Sequence, residues 1–467
     1  MTGSVPTYEA GSFRDPDSAV FIADGKVLRG LSERAAADWD RLRDAPFFRR
    51  LGEGGQVVRT TVHEGEAPPS PRGAPWAAVL EHERIPVVSY PYEWPFAMLR
   101  EAATLQLDVL AAALDGGMSL KDGTAYNVQF VGSRPTFIDI GSFEAAAGPW
   151  PGYRQFCQTM LFPLLIQAHL GVPYQPFLRG RVDGLSPSDV AGMFSGVKRF
   201  RAGVLRNVAL HSALEKRVTA PSEKVKSDLR SSGFSTELAK ATTRKLRKLV
   251  TRLDVGRRGS TWSEYRDTCS YSDADAEVKR EFVGSALEGG TASTVLDLGA
   301  NDGAYSRLAA EHADYVVAVD GDETVIDRLY RRLHAEGNER ILPLVMDLAD
   351  PSGGIGWRNR ERTPFAERVS PDAVLALALV HHLAIAANVP LPEVVAWLRS
   401  FGGRLVVELA HPEDPMVQRL LANKPPGLFD DYRRPAFEEL LTEHFAVHEQ
   451  RELPGGTRTL YLADPKP

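Results

Sequence analysis

Cysteine is nearly absent. The 467 residues hold two, Cys157 and Cys269, which excludes a disulfide scaffold and a cysteine-rich metal cluster. So few thiols fit a chain kept in a reducing compartment. Also missing is any apolar run near the ~20 residues that a membrane helix needs. The opening residues, MTGSVPTYEAGSFRDPDS, have no basic start followed by an apolar stretch, so no secretory signal is expected there. There is no internal repeat and no long low-complexity tract. The expectation is therefore a cytoplasmic chain with no membrane partner. At 43% hydrophobic and 25% charged residues the composition is globular. The length exceeds what one ordinary core serves, so two or three domains are expected.

The net charge of −6 hides an asymmetry. Lys198 to Arg258 carries 17 Lys/Arg against five Asp/Glu, which leaves −18 on the rest of the chain. Such a stretch can hold RNA or anionic ligands. Val204, Leu210, Leu214, Leu246 and Val250 interrupt the basic residues at helical intervals, however. That pattern favours a solvated helical face lying against acidic neighbours.

Three regions follow from patterning. Residues 1–190 mix short strands and helices. Ala19–Ile22 and Lys26–Arg29 flank Ala23-Asp24-Gly25, a hairpin pattern. Residues 62–75, rich in proline, read as a loop, and Ile85–Tyr90 as a strand. Phe96, Leu99, Ala103, Leu107, Leu110 and Leu114 recur at steps of three and four, predicting a helix that Gly116-Gly117 can end. Residues 191–258 are the basic helical connector, with a helix start at Ser186, Pro187 and Asp189.

Residues 259–467 alternate strand and helix, the pattern of a parallel α/β sheet. The spacing predicts strands at Thr294–Leu298, Tyr315–Val319, Ile341–Val345, Ala373–Leu379 and Arg404–Leu409. Helices are expected at Tyr305–His312, Thr324–His334 and Leu391–Arg399, and an antiparallel tail at Ala446–Leu453 and Thr459–Leu462.

The first of these strands runs into Asp297-x-Gly299-x-x-x-Gly303, with Asn301 inside the loop. Glycines let the backbone turn sharply and leave room for a ligand against the main chain. The N–H groups of the following helix favour a carboxylate or phosphate. The second strand ends at Asp320, 23 residues after Asp297, where an acid can accept both ribose hydroxyls. The third ends at Met346-Asp347, where a carboxylate can accept from an adenine amino group. Asp347 and the nearby Asp350 could instead be plain helix caps. Glycine loop, ribose acid and adenine acid in succession resemble the class I S-adenosylmethionine-dependent methyltransferases. The resemblance implies a Rossmann-like sheet. It also implies that Asp297, Gly299, Asn301 and Gly303 hold the methionine end of the cofactor, Asp320 the ribose and Asp347 the adenine.

The fourth strand runs into Val380-His381-His382-Leu383. Ligands of parallel sheets sit at this edge. Methyl transfer needs a base only when the acceptor must lose a proton, and histidine serves near neutral pH. His381 and His382 are thus candidate catalytic bases, although either could simply pack or orient a loop. The pair resembles small-molecule methyltransferases, which argues for a small acceptor and against nucleic acid. Glu408, His411, Glu413 and Asp414 form a second polar cluster at the same edge, without metal-ligand spacing. Tyr265 and Tyr271 precede the first strand and could close over the cofactor.

The first region carries another pattern. Leu120-Lys121-Asp122-Gly123-Thr124-Ala125-Tyr126-Asn127 follows the long helix, and a short hairpin then leads to Phe137-Ile138-Asp139-Ile140-Gly141. This resembles the catalytic and metal loops of protein kinases and small-molecule phosphotransferases. There a catalytic Asp precedes a metal-binding Asn by five positions and a second Asp follows on the next hairpin. The resemblance implies an α+β kinase-like domain whose Asp122, Asn127 and Asp139 would serve Mg²⁺ and ATP. Ile85–Tyr90 would be the strand leading to its hinge. Leu120-Lys121 replaces the usual His or Arg before the catalytic Asp. No Gly-x-Gly-x-x-Gly occurs in residues 1–60. Lys26 and Arg59 are the candidate strand cations. These departures favour metal and nucleotide or substrate binding over phosphoryl transfer, and Asp122, Asn127 and Asp139 could instead be plain turn residues.

Most of the chain also resembles a family of bacterial methyltransferase-like proteins named for host-specific nodulation. The shared stretches are Leu-Lys-Asp…Tyr-Asn-x-Gln-Phe, Phe-Ile-Asp-x-x-Ser-Phe ending at Phe143, Trp150…Tyr153-Arg154-Gln155-Phe156-Cys157, and Glu413–Met416. The expected protein is a methyltransferase for a small molecule, using S-adenosylmethionine, with oxygen, nitrogen or carbon as acceptor. Its alternatives are a bifunctional enzyme with an ATP- and Mg²⁺-dependent phosphotransferase domain, and an RNA methyltransferase using the basic connector.

Overall fold

Asp24 and Gly25 both adopt positive φ, 49° and 77°, as a two-residue type I′ hairpin turn requires. They join β2 (Ser18–Ala23) to β3 (Lys26–Leu31). The computed structural model describes residues 7–66, 68–71, 73, 75–146, 148–209, 234–256, 272–288 and 292–467. Tyr265, Tyr271, Cys269, Leu210 and Leu214 lie outside the described residues. The chain divides into two units. Unit 1 comprises residues 1–130, 135–257 and 354–363, and unit 2 residues 131–134, 258–353 and 364–467.

In unit 1, β1 (Thr7–Tyr8), β4 (Thr60–Val62) and β5 (Ala78–His82) complete an antiparallel sheet of order β1-β2-β3-β5-β4. Phe21, Leu28 and Val79 form its buried apolar face. Between β3 and β4 lie α1 (Glu33–Arg43), capped by Ser32, and α2 (Pro46–Glu53), with Pro46 in its first turn.

The strand expected at Ile85–Tyr90 is not formed; the strand in this part of the sheet is β5. Pro86 has no N–H for a ladder. The backbone N–H and C=O of Ser89 are taken instead by the Gln129 side-chain amide, each at 2.9 Å.

The helix α3 (Phe96–Asp115) forms as its periodicity predicts. Burial spreads beyond the expected stripe to Ala97, Met98, Ala102, Leu105 and Val109, because the helix is covered on several sides. A side chain at Gly116 would run into the Phe47 ring, and Gly117 turns at φ 77°, so the helix stops there. After it come β6 (Met118–Leu120), which pairs with β9 (Phe143–Ala145), and the hairpin β7 (Val128–Val131) and β8 (Arg134–Phe137). α4 (Phe162–Leu170) and α5 (Pro187–Met193) follow, the latter capped by Ser186 as expected. α6 (Phe234–Val250) packs on α3 with Leu246 and Val250 buried. Two of its cations meet acids of α3: Arg247 pairs with Asp108 at 2.5 Å and Lys240 with Asp115 at 2.9 Å.

Unit 2 is a Rossmann-like α/β unit built on one seven-stranded sheet. The strands are β10 (Thr294–Leu298), β11 (Tyr315–Asp320), β12 (Ile341–Val345), β13 (Ala373–Ala376), β14 (Arg404–Ala410), β15 (Phe445–Glu452) and β16 (Arg458–Pro465). Their order is β12-β11-β10-β13-β14-β16-β15. The first five are parallel; β16 runs antiparallel to β14, and β15 to β16. The parallel strands are buried on both faces, so they read as continuous apolar runs. Between them lie α8 (Ala304–His312), α9 (Glu323–Ala335) and α10 (Leu391–Ser400). α7 (Asp273–Leu287) precedes the sheet and opens on a Ser272–Asp275 capping box. α11 (Pro415–Leu421) and α12 (Arg434–His444) lie between β14 and β15. The chain winds outward in opposite directions from β10 and β13, which places a topological switch point between them.

The fourth strand is shorter than its apolar run. It stops at Ala376, and Ala378 turns at φ 52°. Leu377, Leu379 and Val380 stay buried in the turn, so hydrophobicity continues where the strand does not. No helix among the described residues is long and apolar enough to cross a membrane.

Candidate functional site

The switch point is lined first by the glycine loop. Gly299 and Gly303 sit at φ 81° and 82°, and Asn301 at 47°. The N–H groups of Gly299 and Ala300 donate to the Val319 carbonyl at 2.8 and 3.0 Å, tying the loop to β11. At Gly303 a Cβ would stand 2.6 Å from Leu329 Cδ1 on α9, so the loop also needs glycine for close approach. α8 starts immediately after, and its first N–H groups point back towards the loop.

Asp297 is buried, and its Oδ2 accepts from Ser306 Oγ of α8 at 2.5 Å. Among the described residues it makes no ion pair. Burial raises its pKa from 3.8 to about 6; the Ser306 hydrogen bond and Lys279 oppose the rise, while Asp320 adds to it. Asp320 stands at the end of β11. It accepts from Asn301 N at 2.9 Å and Asp322 N at 2.8 Å. Its pKa is also raised, mainly by burial, with these backbone donors opposing. Asp347 is exposed and accepts from Ala349 N at 2.9 Å within a turn. Gly321 stands next to it: a Cβ there would lie 3.6 Å from the Met346 carbonyl and 3.9 Å from Asp347 Cα, between the ends of β11 and β12.

The turn at Ala378 delivers His381, and a π-helical turn, His382–Ala386, follows. A strained residue at a strand end is typical of functional sites. His381 is fully buried, and neither ring nitrogen has a hydrogen-bond partner. Its ring centroid lies 4.3 Å from that of His382. Burial holds the His381 pKa well below the usual histidine value, with His382 and Arg458 adding to the effect and Glu408 opposing it. His382 is pushed down to about 4 by burial and then Arg458. Both imidazoles are therefore neutral near pH 7.

Behind them lies a buried charge network. Glu408 of β14 sits 2.6 Å from Lys279 of α7 and 3.0 Å from Arg458 of β16. Arg458 also clasps Asp414 through Nε at 2.7 Å and Nη2 at 3.1 Å. His411 reaches Thr459 Oγ1 at 2.9 Å, and Glu413 is exposed. Of the polar cluster at the end of β14, Glu408 and Asp414 thus belong to an ion-pair network, His411 is hydrogen-bonded to Thr459, and Glu413 lies outside. Among the described residues no group of three or more His, Cys, Asp or Glu side chains could hold a metal ion.

In unit 1, Asp122 follows β6, and its pKa is raised by burial and then by Asp139, with Gln155 opposing. Asn127 is buried; its carbonyl accepts from Ile138 N at 2.8 Å, and its Nδ2 has no partner. Asp139 pairs with Arg29 of β3 at 2.9 Å. The structure so brings Asp122 and Asp139 into electrostatic contact and ties Asn127 to the same hairpin. The expected strand cations are elsewhere. Lys26 pairs with Glu81 at 2.9 Å and Arg59 with Glu83 at 3.8 Å, all on partly or fully exposed side chains. Lys26 is the first residue of β3, at the exposed hairpin end, and the cation that reaches Asp139 is Arg29, on the opposite face of the strand.

The chain is 34% identical over 461 residues to the nodulation protein NoeA of Rhizobium meliloti (strain 1021), spanning 98% of this chain and 96% of that one. The chain belongs to the NoeA family. No protein-family model matches it. Among solved structures it is similar to the N-methyltransferase NodS from Bradyrhizobium japonicum WM9, with 15% identity over 42% of this chain and 99% of that one, at a TM-score of 0.31. NodS in complex with S-adenosyl-L-homocysteine matches at 14% identity, 45% and 100% coverage and a TM-score of 0.32. Magnesium protoporphyrin IX methyltransferase from Synechocystis PCC 6803, with bound S-adenosylhomocysteine, matches at 16% identity, 44% and 94% coverage and a TM-score of 0.30. At these scores the solved structures carry nothing further.

In this NoeA-family chain four buried side chains escaped the sequence pattern: Arg29, Ser306, Lys279 and Arg458. Ser306 had a signal, being three residues past Gly303 in the first turn of α8. Lys279 stands in the charged run Glu277–Glu281, and Arg458 follows a Gly-Gly-Thr turn; both look like surface residues in sequence.

Proposed function

We propose that unit 2 is a cytoplasmic S-adenosylmethionine-dependent methyltransferase acting on a small molecule. One observation carries this reading: a buried carboxylate, Asp297, raised to about 6 and in no ion pair among the described residues, stands at the head of a glycine loop at the switch point. A buried carboxylate calls for a cation, and the ammonium of a bound methionine moiety would supply one. The N–H groups at the start of α8 suit that moiety's carboxylate. Asp320 keeps acceptor lone pairs for ribose hydroxyls, and the exposed Asp347 carboxylate could accept from an adenine amino group. S-adenosylmethionine, when bound, supplies a methyl group on a sulfonium. His381, neutral and with two unengaged nitrogens, can take the proton that a hydroxyl or amine acceptor loses. His382, its ring tilted against that of His381, would hold it in place or serve as the base itself. Calorimetric titration of the full chain with S-adenosylhomocysteine tests the reading. Binding that is lost in Asp297→Ala is expected. No binding, or binding indifferent to Asp297, would refute it.

A second reading concerns unit 1. A five-stranded sheet, the long helix α3, a loop with Asp122 and Asn127, and a hairpin leading to Asp139 support a kinase-like unit. The Arg29–Asp139 pair favours a binding role for it over Mg²⁺- and ATP-dependent phosphoryl transfer. An RNA-binding role for the basic segment is weakened where the segment is described, because Lys240 and Arg247 already sit on Asp115 and Asp108.

A further inference from the structure

Just past the histidines, unit 2 holds a cavity of about 200 Å³. One wall is Ala384, Val389 and Leu391, on the π-helical turn and the approach to α10. The other is Leu428 and Phe429, on the segment between α11 and α12. Ala384 lies three residues after His381, on the π-helical turn that follows it, so the cavity begins about one turn further along the chain from the histidines. For scale, a cavity of about 150 Å³ takes a benzene ring. This one, open to solvent at Leu428 and Asp431, has room for a ring with one or two small substituents.

The charge around the cavity is selective. Among the described residues that line it, Asp431 is the one charged side chain. The buried cations of the same sheet edge, Lys279 and Arg458, are held by Glu408 and Asp414 at 2.6–3.0 Å. A phosphate or carboxylate entering here would meet Asp431 and cations already engaged by carboxylates, which disfavours it.

We propose that this cavity holds the body of the methyl acceptor, and that the acceptor is an uncharged, ring-sized apolar molecule with a hydroxyl or amine rather than a phosphate or carboxylate. The proposal rests on the methyl-transfer reading of unit 2. In the reaction the acceptor oxygen or nitrogen bonds to the methyl carbon while the carbon–sulfur bond breaks. The sulfur keeps the bonding pair as a neutral thioether, and the acceptor's proton passes to His381.

The test uses the full chain saturated with S-adenosylhomocysteine and two probes that share a phenol ring, 4-methylphenol and 4-hydroxybenzoate. Calorimetry should show 4-methylphenol binding at least about tenfold more tightly. Asp431→Lys should cut that preference by about tenfold, and Leu428→Glu should abolish 4-methylphenol binding without changing affinity for S-adenosylhomocysteine. Leu428 and Asp431 are both exposed, so neither change threatens folding. Equal affinity for the two probes, or a preference untouched by Asp431→Lys, overturns the proposal alone. A chain that does not bind S-adenosylhomocysteine refutes the methyl-transfer reading, and the acceptor proposal with it.

Discussion

Ser306 Oγ donates to Asp297 Oδ2 at 2.5 Å, and this hydroxyl is the polar partner that stands over the buried carboxylate of the glycine loop. It offsets only part of the cost of burial, since Asp297 is still raised to about 6. In the unliganded chain the neutral acid contributes stability that is fully present below 3.8 and is lost as pH rises through about 6. A ligand ammonium needs the ionised acid, so its binding has the opposite slope. Affinity for S-adenosylhomocysteine should be constant above pH 7 and fall by about tenfold per unit below pH 6. Asp297→Asn should bind weakly and without that slope. Calorimetry from pH 5 to 8 measures both, and a slope that survives in Asp297→Asn would contradict the assignment.

The two loop glycines serve different ends. Gly299 needs only its φ of 81°, since a Cβ there would meet nothing nearer than 3.8 Å. Gly303 needs its φ of 82° and would also collide with Leu329 at 2.6 Å. Gly299→Ala should cost about 1 kcal/mol from the left-handed backbone, and Gly303→Ala about 2–4 kcal/mol because α9 must also yield. Urea denaturation midpoints rank them. Equal costs would mean that the Leu329 contact relaxes freely.

Arg458 separates buried from exposed charge at the end of β14. Among the described residues, its loss would leave the fully buried Asp414 without a cation and Glu408 with Lys279 alone. Arg458→Leu should destabilise by about 3–5 kcal/mol. Glu413→Ala, one residue from Asp414 but exposed, should stay within about 0.5 kcal/mol. If the first change were neutral in thermal unfolding, the network would not be holding the strand ends together.

In unit 1, Arg29 Nη1 pairs with Asp139 Oδ1 at 2.9 Å, so a divalent cation on that carboxylate would compete with the guanidinium. Magnesium at millimolar level should leave the melting temperature of the wild-type chain unchanged. Arg29→Ala removes the guanidinium and leaves Asp122 and Asp139 facing each other. Magnesium should then raise the melting temperature, because like charges in one pocket favour a cation. Stabilisation of the wild type by magnesium would show that Arg29 does not close the site.

What was legible in sequence follows from where each interaction sits in the chain. β10 and β12 were readable to the residue because apolar runs buried on both faces end in Asp or Gly. The Asp297 loop was readable because its turn chemistry is local. β13 was overread, since Leu377, Leu379 and Val380 are buried although Ala378 has already turned the chain. Ile85–Tyr90 looked like a strand, yet its backbone is satisfied by Gln129, which no local pattern reveals. Arg29 and Arg458 went unseen for the same reason. Their partners, Asp139 for one and Glu408 and Asp414 for the other, are distant in sequence, and an isolated arginine looks solvated until the fold buries it.

The histidine pair can be tested before any acceptor is known. Burial, the neighbouring His382 and Arg458 all disfavour the charged form of His381, and only Glu408 among the main influences favours it. Its imidazole should therefore show no titration near 6.5, where an ordinary histidine changes charge. His382 should titrate near 4. Histidine ring resonances followed by NMR from pH 4 to 8, assigned through His381→Gln and His382→Gln, read both directly. Because the turn that leads to His381 lies against the cofactor loop, with Leu379 Cδ1 3.8 Å from where a Gly299 Cβ would stand, saturating S-adenosylhomocysteine should shift its signal. The same ligand should move His448, exposed on β15, by nothing measurable. A His381 resonance that titrates near 6.5, or that ignores the ligand, would remove the residue from the site and leave His382 as the base.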